Sequence, residues 1–302
     1  MLFSLFVFPP FVSGRPDRVL IMQRLAGSLV VLLGASLWAF ESPDSLPRPF
    51  RQYPGVEYGD FPLPSNYQEK TEFAFARLMY PPTRYGIGGG YGFRGGREWQ
   101  YGNSIWTQDY PRADRHFSEA IRRLTRLHVR SVEQPVNLDD GDDVFNWPWL
   151  YAVQVGQMQL TDAQAKKLAE YLERGGMFVV DDFWGEEQFR QVTSNMARVL
   201  PGRPIVDIPE DDPVFHVAWD LKDRYQVPGA RYMSAGVTWK CYGCPARWRG
   251  IYDDRGRLLV AMNYNSDLGD SWEWADEPLY DEKFSALGIR IGINEILYAF
   301  TH

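Results

Sequence analysis

Histidine and cysteine are both scarce, at four and two residues out of 302. Two cysteines cannot build a four-thiolate zinc site, and Cys241-Tyr-Gly-Cys244 has the spacing of only half of one. A redox pair of thioredoxin type would need a helix to start directly after it, but Pro245 comes next. A local disulfide between Cys241 and Cys244 is the reading that remains, and it suits an oxidising compartment. Of the histidines, His128 starts a short apolar run, His302 is the last residue and His116 lies in the first turn of an expected helix. His216 sits in a loop beside Asp211 and Asp212, which makes it the histidine to consider for catalysis or metal binding. The alternative is an ordinary surface side chain.

Basic clusters are missing as well. The net charge is −7 and no run of Lys and Arg is long enough to hold a polyanion, which excludes nucleic acid as a partner. The Gly-rich stretch Tyr85–Gly96 is not closed by Gly-Lys-Ser/Thr, and the next helical pattern starts only at Asp114. It therefore reads as a hairpin or flap rather than a phosphate loop. There is no internal repeat.

What is present is a globular composition, with 45% hydrophobic and 24% charged residues. Aromatic residues make up 15%. That content fits either an aromatic-rich core or a surface that binds a flat ligand such as a sugar ring. Met22-Gln-Arg24 followed by the apolar run Leu25–Trp38 reads as a secretory signal cleaved near Ala39, with Met22 as the true start. The alternative is an uncleaved inner-membrane anchor through residues 22–40. After cleavage no stable transmembrane segment is expected. Removing residues 1–39, with their net +2, takes the formal charge from −7 to −9. Residues 40–69 hold six prolines among polar residues and read as an extended leader. One domain is expected over residues 70–302.

Within that domain Glu72–Met79 reads as a first strand and Asp114–Leu127 as a helix capped by Asp114. His128–Val132 reads as a short strand, and Trp149–Val155 as a strand buried on both faces. Thr161-Asp-Ala-Gln164 is a capping box, and the helix it opens ends at Gly175-Gly176. Met177–Val180 is the next buried strand, so this span is a βαβ unit with parallel strands. Glu186–Leu200 reads as a helix, Pro204–Ile208 as a strand, Gly250–Met262 as a β-hairpin and Leu287–Phe300 as a closing helix. The fold class that follows is α/β, with a mostly parallel central sheet and a β-hairpin insertion.

Two groups of residues could carry chemistry. Asp181 and Asp182 follow the buried strand, with Trp184 close behind. Ligands bind at the carboxyl ends of strands in open parallel sheets, and paired acids can act as acid and base or hold a metal. The competing reading is that Asp182 caps the next helix. The second group is Asn263, Asn265, Asp267 and Asp270, with Trp272 and Glu273 following. These are hard oxygen ligands for a divalent metal of undetermined identity, or else an Asx-rich turn. Both groups follow strands, so their ends should converge at one edge of the sheet.

Leu160-Thr-Asp-Ala-Gln, Tyr171-Leu-Glu-Arg-Gly-Gly176 and Asp181-Asp-Phe-Trp-Gly185 resemble the bacterial family catalogued as domain of unknown function 4159. Pro213-Val-Phe-His216, Asn263–Asp270 and Gly292–His302 extend the resemblance. It implies a class I glutamine amidotransferase-like fold, which is a flavodoxin-like three-layer sandwich. Active amidotransferases place a nucleophilic Cys after the strand corresponding to Met177–Val180, where this chain has Asp181 and Asp182. Thiol chemistry is therefore not expected. The expectation is an exported envelope protein that recognises a carbohydrate or a partner protein through an acidic, Trp-rich edge. The alternative is a hydrolase using Asp181, Asp182 and His216 or Asp270, with or without a metal.

Overall fold

The computed structural model describes residues 47–83 and 98–302. The expected signal at 1–39, its alternative as an anchor over 22–40, and the Gly-rich stretch 85–96 lie outside the described residues. Seven strands form one sheet: β1 (Ala76–Met79), β2 (Gln134–Asn137), β3 (Trp149–Ala152), β4 (Met177–Phe183), β5 (Val206–Asp207), β6 (Arg247–Tyr252) and β7 (Leu258–Tyr264). Their order across the sheet is β2-β1-β3-β4-β7-β6-β5. The first five in that row run parallel, and β6 is antiparallel to both of its neighbours. The parallel part has flavodoxin-like order, in which the direction of strand addition reverses between β1 and β3.

Helices cover both faces, as the two-sided apolar runs of the strands require. The helices are α1 (Arg112–Leu124), α2 (Asp162–Glu173), α3 (Gly185–Val199), α4 (Arg231–Ala235), α5 (Leu268–Glu273) and α6 (Glu282–Thr301). Phe178 and Val180 of β4 pack with Leu168 of α2 and Val192 of α3 on one face. Met177 and Val179 pack with Phe117 of α1 and Ile291 of α6 on the other. The period-2 alternation of β4 therefore feeds two cores. The capping box at Thr161 is formed, with both of its reciprocal bonds to Gln164.

Three local expectations are corrected. No regular strand forms over His128–Val132; only Val129 bridges to Phe73, and β2 begins at Gln134. Here the Arg130 guanidinium folds back on its own segment and bonds the carbonyls of Val132 and Glu133. Helix α1 starts at Arg112, behind Pro111, so Asp114 is not its cap. Asp114 instead accepts a bidentate pair from the wholly buried Arg77 of β1. Asp181 and Asp182 do not follow β4 but lie within it, at a break in register between Val180 and Phe183.

The described part of the Pro-rich segment, residues 47–69, has no helix or strand. It lies against the domain. Val56 N–H donates to Thr107 Oγ1 (3.1 Å) and Arg115 donates to Gln52 Oε1 (2.6 Å). A Cβ on Gly55 would stand 2.7 Å from the Tyr110 carbonyl, so only glycine allows this approach. Among the described residues no helix is long and apolar enough to cross a membrane.

Candidate carboxylate site

The break in β4 sets the direction of its two acids. Asp182 has φ +50°, a left-handed conformation that Asp tolerates better than most residues. Bulges of this kind re-aim side chains beside sites. Asp181 Oδ2 accepts the Tyr151 hydroxyl (2.8 Å) and the main-chain N–H groups of Leu268 and Gly269 (both 2.9 Å). Asp182 accepts from Trp184 Nε1 (2.6 Å), Gln154 Nε2 (2.5 Å) and Lys240 Nζ (2.7 Å). It caps nothing: the residue before α3 is Trp184, which makes no side-chain cap bond.

The loop after β7 brings the second group to the same place. Asp267 caps α5 through the Asp270 N–H (2.9 Å), and its Oδ2 lies 2.7 Å from Lys240 Nζ. Asp270 accepts the Ala230 N–H (2.7 Å) and Trp274 Nε1 (3.0 Å). The expected convergence of Asp181 and Asp182 with Asp267 and Asp270 is present. Lys240 is the cation that ties Asp182 to Asp267, with Asp270 4.0 Å away.

A third acidic segment, with no signal in the sequence, completes the site. Asp109 precedes α1, with φ +62°, and is buried. Arg77 positions this loop by donating to the Trp106 and Gln108 carbonyls (both 3.1 Å). Asp109 Oδ2 has no hydrogen-bond partner, and a Cβ on Gly269 would come within 2.5 Å of it. Asp109, Asp267 and Asp270 bring carboxyl oxygens within 4.8 Å of one another, as do Glu57, Asp109 and Glu273.

So many enclosed acids cannot all stay ionised beside one ammonium. Burial pushes Asp181 up to about 8, with Asp267 and Asp182 adding to it. Burial and then Asp270 push Asp267 up to about 8. Burial raises Asp182 and Asp270 to about 6 and Glu273 to about 7. Asp109 is raised well above the usual range by burial and by Asp270 and Glu273. Burial lowers the Lys240 ammonium, but Asp182 and Asp267 outweigh it, and the net direction is up.

Other expected site residues have different surroundings. His216 bonds Asp220 Oδ1 (2.7 Å) and the Glu210 carbonyl (2.8 Å), and among the described residues no bond joins it to Asp181 or Asp182. The Glu210 carbonyl and Asp220 raise its pKa. Asn265 is used up in tying loops: it accepts the Gly185 N–H (2.9 Å) and donates to the Pro245 carbonyl (2.8 Å). Asn263 lines a small cavity with Glu295. Trp272 is buried and stacked on Phe117 at 4.1 Å, so it offers no ring face to a ligand. Trp184, also buried, serves to orient Asp182. Cys241 and Cys244 are disulfide-bonded to each other next to Lys240, and Cys241 Sγ would lie 3.3 Å from a Cβ on Gly185.

Residues 98–300 match the model of the family described as Domain of unknown function (DUF4159), and the chain belongs to that family. No curated protein matches it.

Proposed function

We propose that this DUF4159 member is an exported cation-binding α/β protein in which Asp109, Asp267 and Asp270 hold a divalent cation. The observation that carries this reading is that buried Asp109, whose Oδ2 has no partner, shares with Asp267 and Asp270 a set of carboxyl oxygens, one from each, within 4.8 Å of one another. An enclosed group of like charges needs either protons or a cation. Its ligands are all hard oxygens, with no thiol or imidazole among them, which favours calcium, magnesium or manganese over zinc. The burial of Trp272 removes the main support for sugar stacking at this edge. The disulfide and the leader pattern at Arg24–Trp38 support export to the periplasm or envelope. The flavodoxin-like strand order is compatible with descent from an amidotransferase-like fold, with Asp181 and Asp182 where such enzymes carry a thiol.

A second reading has its own observation. Burial raises adjacent Asp181 to about 8 and Asp182 only to about 6, because Lys240 and Trp184 hold Asp182 down. Carboxyls separated in this way suit general acid and base roles in hydrolysis. Protein purified without chelator should carry stoichiometric divalent metal. A panel of ester, amide and glycoside substrates, tested with and without that metal, separates the readings. Metal bound with no turnover leaves the binding module; metal-dependent turnover lost in Asp182→Asn selects the hydrolase. Metal-free protein that takes up no added divalent cation contradicts the cation reading.

A further inference from the structure

We infer a second divalent-cation site at Glu57, Asp109 and Glu273, which shares Asp109 with the first and fastens the Pro-rich strap to the domain. This rests on the reading above in one respect, the use of Asp109 as a ligand. Carboxyl oxygens of these three residues lie within 4.8 Å of one another. Glu273 is wholly buried; its Oε1 accepts the Tyr58 hydroxyl (2.5 Å) while Oε2 has no partner. An acceptor enclosed without a donor is destabilising, and a cation would relieve it. Among the described residues no Lys or Arg makes an ion pair with Glu57, Asp109 or Glu273. The neighbouring Arg112 is engaged with Asp276 (2.8 Å) and stacks on Trp274.

Glu57 is delivered from outside the sheet. Its Oε2 accepts the Asp109 N–H (2.8 Å) and its Oε1 accepts Gln108 Nε2 (2.5 Å). Each carboxylate oxygen has a second lone-pair direction, so both remain able to ligate. Tyr58, next in the chain, bonds Glu273, and so two consecutive strap residues address the same pair of acids. Asp109 has two oxygens and can bridge two cations. Glu57 is exposed, so this second site is open to solvent on the strap side.

Calcium chloride titrated into the chelator-treated full chain tests the inference by calorimetry, with protease sensitivity of residues 47–69 as a second readout. Two equivalents are expected in the parent. Glu57→Gln, at an exposed position that leaves the fold intact by circular dichroism, should bind one equivalent and lose calcium protection of the strap. Asp267→Asn should lose the other equivalent and keep that protection. One equivalent in the parent, unchanged in Glu57→Gln, overturns the second site and leaves the first standing. No binding at all overturns both.

Discussion

The Lys240 ammonium lies 2.7 Å from Asp267 Oδ2, and at the same distance from Asp182 Oδ1, so one cation joins the ends of β7 and β4. Lys240→Met removes the built-in counter-charge. Breaking a buried ion pair costs about 3–5 kcal/mol, and the partly exposed lysine stem puts this case at about 3. The loss should be largest at pH 8 and small at pH 5, where Asp182 and Asp267 take up protons instead. Urea denaturation at the two pH values checks this. An equal loss at both would show that the lysine acts by packing alone.

The pH dependence of the cation-free protein has a definite sign. Asp181 and Asp267 are raised to about 8 and Glu273 to about 7, against about 4 in an unfolded chain. Between those limits the folded state binds more protons than the unfolded state, so stability falls as pH rises from about 4 to 8. A divalent cation should oppose this, and more strongly at higher pH. Melting temperatures measured across the range, with EDTA and with calcium, test it. Melting that rises with pH in EDTA would refute the charge assignment.

Arg77 links the core to the site. Its guanidinium pairs with buried Asp114 and holds the carbonyl of Gln108, the residue before Asp109. Arg77→Met leaves Asp114 unpaired and should cost about 3–5 kcal/mol. Calcium affinity should fall with it, because the Asp109 loop loses its anchor. Adding Asp114→Leu should recover much of the stability but not the affinity. Recovery of both would mean that Arg77 does not position Asp109.

The layered fold and the meeting of Asp181–Asp182 with Asp267–Asp270 were legible in the sequence. Two-sided apolar strands, the Thr161 capping box and the βαβ unit fix β3 and β4 as parallel neighbours, and the rule that ligands gather at one edge of such a sheet brings the acids of β4 and those after β7 together. Asp109, Glu57 and Lys240 were not. They come from irregular segments with no period to read, and their meeting depends on Arg77 and on the strap. One signal did exist: a converging cluster of acids demands a cation, and Lys240 directly precedes Cys241. The setting of Trp272 was not legible either, because an aromatic among acids looks the same in sequence whether it faces a ligand or the Phe117 ring.

The compartment has its own test. Protein recovered from the envelope should begin near Phe40 on N-terminal sequencing, and alkylation without reductant should find no free thiol at Cys241 or Cys244. An intact N-terminal segment would mean an anchor. Two free thiols would argue against an oxidising compartment.

The most direct measurement is a crystal grown with manganese and examined by anomalous scattering. The account predicts an anomalous peak bounded by the carboxyl oxygens of Asp109, Asp267 and Asp270, with Lys240 still on Asp182 and no such peak in Asp109→Asn. Well-ordered carboxylates with no anomalous density between them, at millimolar manganese and pH 8, would contradict it and leave Lys240 and protons as the only counter-charges of the site.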